Sequence, residues 1–263
     1  MHFKGKVVWI TGASSGIGKE LAIQISKLGA ILILTSSNEL LLCAIKAELS
    51  SSKVHFLPYN LLELDGLPDL VERAWALEGT IDCVIQSAGI SQRAEAADTS
   101  LEVYKKLMDL NYFAPVAITQ ALLPHFKKHD KGNMTVISSV AGLMGFPLRS
   151  GYAASKHAIK GYLETLQCEL YKTNITISIV YPGRIDTNIS KNALLGDGQQ
   201  FGLTDANNEV GMKVAVCAKK IIDGIQANKK SVIIVKAERL LFWFWWFVPS
   251  LYYKIAHSKG LLK

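Results

Sequence analysis

Tyr152 and Lys156 stand four residues apart in Y-A-A-S-K, a spacing that puts both side chains on one face of a helix and into one cleft. A phenol with its ordinary pKa near ~10 is a poor proton donor or acceptor at neutral pH, but a neighbouring ammonium stabilises the phenolate and lowers that value. Such a pair suits proton exchange with a carbonyl or alcohol oxygen. A further hydroxyl is needed to hold that oxygen. Ser139 follows an apolar run at 133–138 and precedes Tyr152 by thirteen residues, which lets it sit at the lip of the same sheet edge.

A second candidate site lies near the N-terminus, where Val7 to Ile10 lead into T-G-A-S-S-G-I-G at 11–18. Gly12, Gly16 and Gly18 allow a sharp turn, close approach of the backbone to a pyrophosphate, and tight packing of the following helix on the strand. The helix N-terminus then offers N–H groups and a positive dipole end to phosphates, with Ser14, Ser15 and Ile17 as further contacts. The spacing differs from G-x-G-x-x-G, and an ordinary glycine turn is the alternative; the place between first strand and first helix favours a dinucleotide.

At 35–38, where a carboxylate would accept from the ribose 2′-hydroxyl of NAD, the chain reads T-S-S-N. Ser36 and Ser37 can hydrogen-bond a 2′-phosphate, so the expected cofactor is NADP(H), with NAD(H) second. Alternatively these serines only begin the next helix.

The elements that must position these groups follow from periodicity. Short runs rich in Val and Ile predict strands at 6–10, 30–35, 53–57, 81–86, 133–138, 175–180 and 231–235. Helical patterns fill 16–28, 38–50, 65–78, 100–127, 151–172 and 212–228. Regular alternation predicts an α/β fold: one Rossmann-type, doubly wound parallel sheet of about seven strands with right-handed crossovers, in a single domain spanning 1–263. The stretch 187–211 has weak periodicity and many turn formers, and is read as a substrate loop.

Composition narrows the classes. A hydrophobic share of 49% over 263 residues supports a full core and argues against disorder. The formal charge of +7 suits a phosphate-bearing partner. Scattered basic residues, without zinc-finger spacing or an RNA-binding motif, predict no nucleic-acid function. Cys43, Cys83, Cys168 and Cys217 lie far apart in apolar surroundings with no C-x-x-C pair, predicting reduced thiols and no metal site. A strand at the very start leaves no room for a secretion signal, so a cytoplasmic location is expected.

Taken in order, T-G-x3-G-I-G, S-x12-Y-x3-K and P-G at 182–183 resemble the short-chain dehydrogenase/reductase family over essentially the whole chain. The resemblance implies that Tyr152 exchanges the proton, that Lys156 lowers its pKa and contacts the nicotinamide ribose, and that Ser139 positions the substrate. It further implies that Asn111 holds a water in a proton relay, that Thr187 contacts the nicotinamide carboxamide, and that Pro182 and Gly183 line the cofactor site. There are departures: Q-S-A-G at 86–89 replaces N-N-A-G, and Asn60-Leu61 stands where an Asp usually meets the adenine. Ala88 and Gly89 still permit close approach to the cofactor. A homodimer or homotetramer through 100–127 and 151–172 is implied by the resemblance alone.

Segments 111–124, 149–158 and 187–193 are similar to the dehydrogenase/reductase member 7B branch, which implies membrane association and a hydrophobic lipid- or steroid-like carbonyl or alcohol substrate. The N-terminal anchor of that branch is not in this sequence. Independently, 240–253 read L-L-F-W-F-W-W-F-V-P-S-L-Y-Y between basic residues. Fourteen residues broken by Pro249 fall short of the roughly 20 needed to cross a bilayer. Trp and Tyr beside cations suit peripheral contact with the cytoplasmic face of a membrane, and a subunit interface or pocket wall is the alternative. The leading function is thus an NADP(H)-dependent carbonyl reductase or alcohol dehydrogenase. Its rivals are a catalytically silent dinucleotide-binding sensor or scaffold, and a structural protein of the membrane surface.

Overall fold

Successive residues of β1 (Val7–Thr11) point to opposite faces, and both faces are covered. In the computed structural model, which describes residues 1–51, 53–203, 211–236 and 244–258, Val8 and Ile10 enter one core while Val7 and Trp9 enter another. The same division runs through β2 (Ile31–Thr35), β4 (Cys83–Gln86) and β6 (Ile175–Pro182). With β3 (Val54–Phe56), β5 (Gly132–Ile137) and β7 (Ser231–Ile234) they form one parallel sheet in the order β3-β2-β1-β4-β5-β6-β7.

Helices α1 (Gly16–Lys27) and α7 (Val214–Gln226) close one face, bringing Leu21, Ile25, Ile221 and Ile225 onto Val8, Ile10 and Ile85. Helices α3 (Leu67–Ala76), α5 (Ala114–His129) and α6 (Ser150–Glu169) close the other, where Leu70, Ile118, Leu122, Phe126 and Ile159 meet Trp9, Val84 and Ile177. Strand order reverses between β1 and β4, so the carboxyl ends of these strands open onto a crevice.

Several elements differ from the expectation. The helix expected at 100–127 is α4 (Leu101–Met108), a π turn at Asp109–Phe113, and α5. Pro115 accounts for the break, since it has no N–H to give to the Asn111 carbonyl four residues back, and the Ala114 N–H instead reaches Asp109 five residues back. The expected 38–50 is a short α2 (Glu39–Ala44) followed by a 3-10 turn at Ile45–Glu48. An unexpected helix, α8 (Pro249–Ser258), forms in the aromatic segment, of which 240–243 lie outside the described residues. Of the expected substrate loop, 204–210 also lie outside. Cys83 and Cys217 are buried as expected, whereas Cys43 and Cys168 are exposed; all four are free.

Candidate active site

A cavity of about 320 Å³ opens at the carboxyl ends of β1, β4, β5 and β6. Gly12, Ser14, Ser15, Gly16 and Ile17 form one wall, and Ser139, Tyr152 and Lys156 another. Ala88, Gly89, Pro182, Gly183 and Thr187 lie between them on the same cavity.

The glycine loop is built for close approach. Gly12 has φ +67°, and a Cβ there would lie 2.6 Å from the Ala88 nitrogen. Gly18 does not line the cavity; it lets α1 abut the loop, since a Cβ would lie 2.2 Å from the Gly12 carbonyl oxygen. No side chain caps α1, so its first N–H groups meet the cavity without a local competitor. Thr187 packs over Gly16, with its methyl 3.6 Å from where a Cβ would stand. Lys156, Arg149 and Arg184 line the cavity, and no Asp or Glu does among the described residues. Shape and charge therefore fit a dinucleotide, with its pyrophosphate at the α1 N-terminus.

The 2′ end is placed differently. Ser36, Ser37, Asn60 and Leu61 stand outside the cavity lining. The Ser36 hydroxyl is 2.7 Å from the Ser14 hydroxyl, a bond that ties the end of β2 to the glycine loop. Asn38, rather than either serine, caps α2 by accepting from the Leu41 N–H at 2.9 Å. Asn60 is turned to a local bond, accepting from Leu62 N–H at 3.2 Å, and Leu61 belongs to the core.

The three chemical side chains converge at the other end. Ser139 accepts from the Ala141 N–H at 3.1 Å and lines the cavity together with Tyr152. Lys156 is buried, with its Nζ 5.8 Å from the centre of the Tyr152 ring and 2.9 Å from the Ile137 carbonyl oxygen, to which it donates. Burial pushes the Tyr152 phenol above its usual value, the reverse of the lowering expected from Lys156, and the Ser139 hydroxyl and the Arg149 charge act against that rise. Burial also brings the Lys156 ammonium down to about 8, which leaves it mostly charged at neutral pH.

Asn111 does not line the cavity. Its amide group accepts from the Ile90 N–H at 3.0 Å and donates to the Ile90 carbonyl at 2.9 Å and to Ser155 at 3.0 Å. It thereby locks the π turn to the strand end that carries Gly89, where a Cβ would lie 3.0 Å from Asn111 Oδ1 and 3.5 Å from Lys156 Nζ. The altered Q-S-A-G stretch keeps a strand-to-helix link, since Gln86 donates to Thr119 of α5 at 3.1 Å. Gln86 Oε1 and its register partner Thr11 Oγ1 are buried without hydrogen bonds.

Sequence reasoning did not single out two residues that shape this end. The buried Gln92 accepts from the Gly151 N–H at 2.7 Å, filling the place of an N-cap that Arg149 does not supply. Arg149 lines the cavity beside Tyr152 and donates to Ser91 at 2.8 Å and to the Gln92 carbonyl at 3.2 Å. Leu148 precedes it at φ +62°, a left-handed conformation unusual for leucine. The described part of the stretch 187–211 is pinned to the same segment, through Leu194 N–H to the Ser91 carbonyl at 2.9 Å and Arg93 N–H to the Leu194 carbonyl at 2.8 Å.

A doubly wound sheet whose switch point brings a glycine loop onto one cavity with a Ser-Tyr-Lys cluster defines a dinucleotide-dependent oxidoreductase fold. Residues 6–197 match the family described as short chain dehydrogenase. The chain belongs to that family, as an oxidoreductase acting on CH–OH groups with a nicotinamide dinucleotide. It is 37% identical to the "Dehydrogenase/reductase SDR family protein 7-like" of Drosophila melanogaster over 98% of this chain and 81% of the relative. It is 33% identical to "Dehydrogenase/reductase SDR family member 7B" of Mus musculus over 98% and 82% respectively. In fold it is similar to a short chain dehydrogenase/reductase of Burkholderia phymatum solved with NAD, with TM-score 0.84, 19% identity, and coverage of 95% of this chain and 96% of that one. A short chain dehydrogenase of Burkholderia cenocepacia J2315 solved with NADP gives 0.80 and 18% over 97% and 99%.

Proposed function

We propose that the chain interconverts a hydrophobic ketone or aldehyde and its alcohol, with NADP(H) preferred over NAD(H). The observation that carries this reading is the meeting of Ser139, Tyr152 and Lys156 with Gly12, Ser14, Ser15, Gly16 and Ile17 on one cavity. The dinucleotide, when bound, supplies or accepts the hydride at C4 of its nicotinamide. Gly12 to Ile17 would hold its phosphates, and Gly183, Thr187 and Lys156 its nicotinamide half.

The remaining work falls to side chains of this chain. In reduction, the substrate oxygen accepts hydrogen bonds from Ser139 and Tyr152, and the Tyr152 phenol proton passes to that oxygen as the carbonyl carbon gains hydride. Negative charge developing on Tyr152 is stabilised by Arg149 and by the Lys156 ammonium over its ring. Asn111 holds Gly89 and Ile90 in place, and its backbone carbonyl, deprived of an α-helical partner by Pro115, is where a relay water would be held.

Val140, Ala141, Phe146, Pro147 and Ile189 supply the apolar walls that favour a hydrophobic substrate, and Asn188, Ile189, Ser190 and Asn192 bring the substrate loop onto the cavity. The preference for the phosphorylated cofactor is supported by the hydroxyls of Ser14, Ser36 and Ser37 and by the lack of a carboxylate at 35–38. Initial rates with NADPH and NADH over steroid, retinoid and fatty ketones test both statements. NADPH-dependent turnover at least tenfold above that with NADH is expected; equal rates would remove the cofactor preference, and no turnover with any ketone the activity.

Peripheral contact with a membrane is proposed for the C-terminal segment. No helix among the described residues is long and apolar enough to cross one. Trp246 and Tyr253 are nonetheless 64% exposed, beside exposed Leu251 and Lys254, an arrangement suited to the interfacial region. Flotation with anionic liposomes should be lost on truncation before residue 240, and unchanged flotation would contradict the assignment.

A further inference from the structure

A second cavity, of about 360 Å³, lies between the loop Gly145–Pro147 and the C-terminal helix α8. Trp245, Tyr252, Tyr253, Ala256 and His257 form its helix side. Phe146 and Pro147 line this cavity and the catalytic cavity alike, so the two spaces meet at a single apolar partition. The partition is anchored on its far side. The Tyr252 hydroxyl donates to the Gly145 carbonyl, and Met144, Tyr252 and Ala256 form a small core of their own with Phe146 and Trp245 packed on it.

Resting on the function proposed above, we infer that the second cavity is a subsite for the tail of a long-chain aliphatic carbonyl or alcohol. The reactive carbon of such a molecule sits at Tyr152, and its chain passes Phe146 and Pro147 to lie under α8. Three observations select this occupant. The space adjoins the catalytic cavity across Phe146 and Pro147, which border both, so one molecule that passes these two side chains fills both. Its walls are aromatic and aliphatic, with His257 the one ionisable imidazole and no Asp, Glu, Lys or Arg among the lining residues. A charged or strongly polar tail would lose hydration there without gaining partners, whereas methylenes gain by leaving water. Tyr253 both lines the cavity and is exposed, and exposed Leu251 stands on the same helix, so the tail lies beside an apolar surface.

A tail subsite makes turnover depend on chain length. Each methylene that enters an apolar pocket raises kcat/KM by about threefold to fourfold, until the subsite is full. Gly145 offers a way to fill the subsite without touching the chemistry, because a Cβ there meets nothing within 4 Å and the backbone carbonyl that Tyr252 uses is retained. The experiment measures kcat/KM for a series of straight-chain 2-ketones in wild type, Gly145→Phe and, as a second obstruction from the helix side, His257→Trp. The expected result is a steep rise with chain length in wild type that is flattened in both variants, with the shortest ketones turned over equally by all three. A flat series in wild type overturns the subsite while leaving the reductase reading intact, because the short ketones still react. Absence of turnover with every ketone overturns the reductase reading instead. Unchanged chain-length dependence in both variants, accompanied by loss of liposome flotation, would show that the groove seats bilayer lipid and not substrate.

Discussion

At the residue scale, the site joins a neutral phenol to a buried cation that burial has weakened. Lys156 normally titrates at 10.5 and is brought down to about 8 because its charged form is desolvated. Between about 8 and 10 the unfolded chain therefore binds more protons at this position than the folded one, so this lysine makes stability rise with pH across that window. Relative to Lys156→Met, wild type should gain about 2 kcal/mol between those two pH values, read from urea unfolding at each. A constant difference would mean that the ammonium is not desolvated. The Tyr-Lys pair and Ser139 were legible in the sequence because their chemistry is carried by spacing within one helix and one strand end. Arg149 was not. Its effect on Tyr152 depends on the turn at Leu148, whose positive φ no residue type announces.

At the element scale, the catalytic helix α6 is held at its first turn from a loop 59 residues away, through Gln92 to the Gly151 N–H. No local pattern could reveal such a cap. Gln92→Leu leaves that buried N–H without its acceptor, and a loss of about 1 to 3 kcal/mol in unfolding free energy is expected, with kcat falling as Tyr152 loses its register. Gln92→Glu keeps an acceptor oxygen at the helix N-terminus and should retain most of both. Equal stability and kcat in Gln92→Leu and wild type would refute the positioning role. The strands were readable to within a residue or two, since a buried parallel strand is a plain apolar run. The long helix at 100–127 was not readable as three pieces. The clue was Pro115, whose missing N–H acts on the carbonyl four residues back and produces the π turn that carries Asn111. Aromatic residues broken by Pro249 hid α8, because proline at the first turn of a helix starts one as readily as it ends one.

At the scale of the whole molecule, the topology separates binding from chemistry. The glycine loop joins β1 to α1, whereas Ser139 follows the end of β5 and Tyr152 and Lys156 belong to α6, and the two sets meet because strand order reverses between β1 and β4. Alternating strand and helix patterns were enough to foresee this architecture. The cavity under α8 was beyond reach, since it depends on how the C-terminal segment folds back on Gly145 to Pro147. Separation of the two sets means that one substitution can remove catalysis and spare the dinucleotide. The decisive measurement compares Tyr152→Phe with wild type for NADPH binding, by quenching of tryptophan fluorescence, and for ketone turnover under saturating NADPH. Equal binding within about twofold and a fall in kcat of about a hundredfold to ten-thousandfold are expected. Turnover unchanged in Tyr152→Phe would contradict the role of Tyr152 as proton donor.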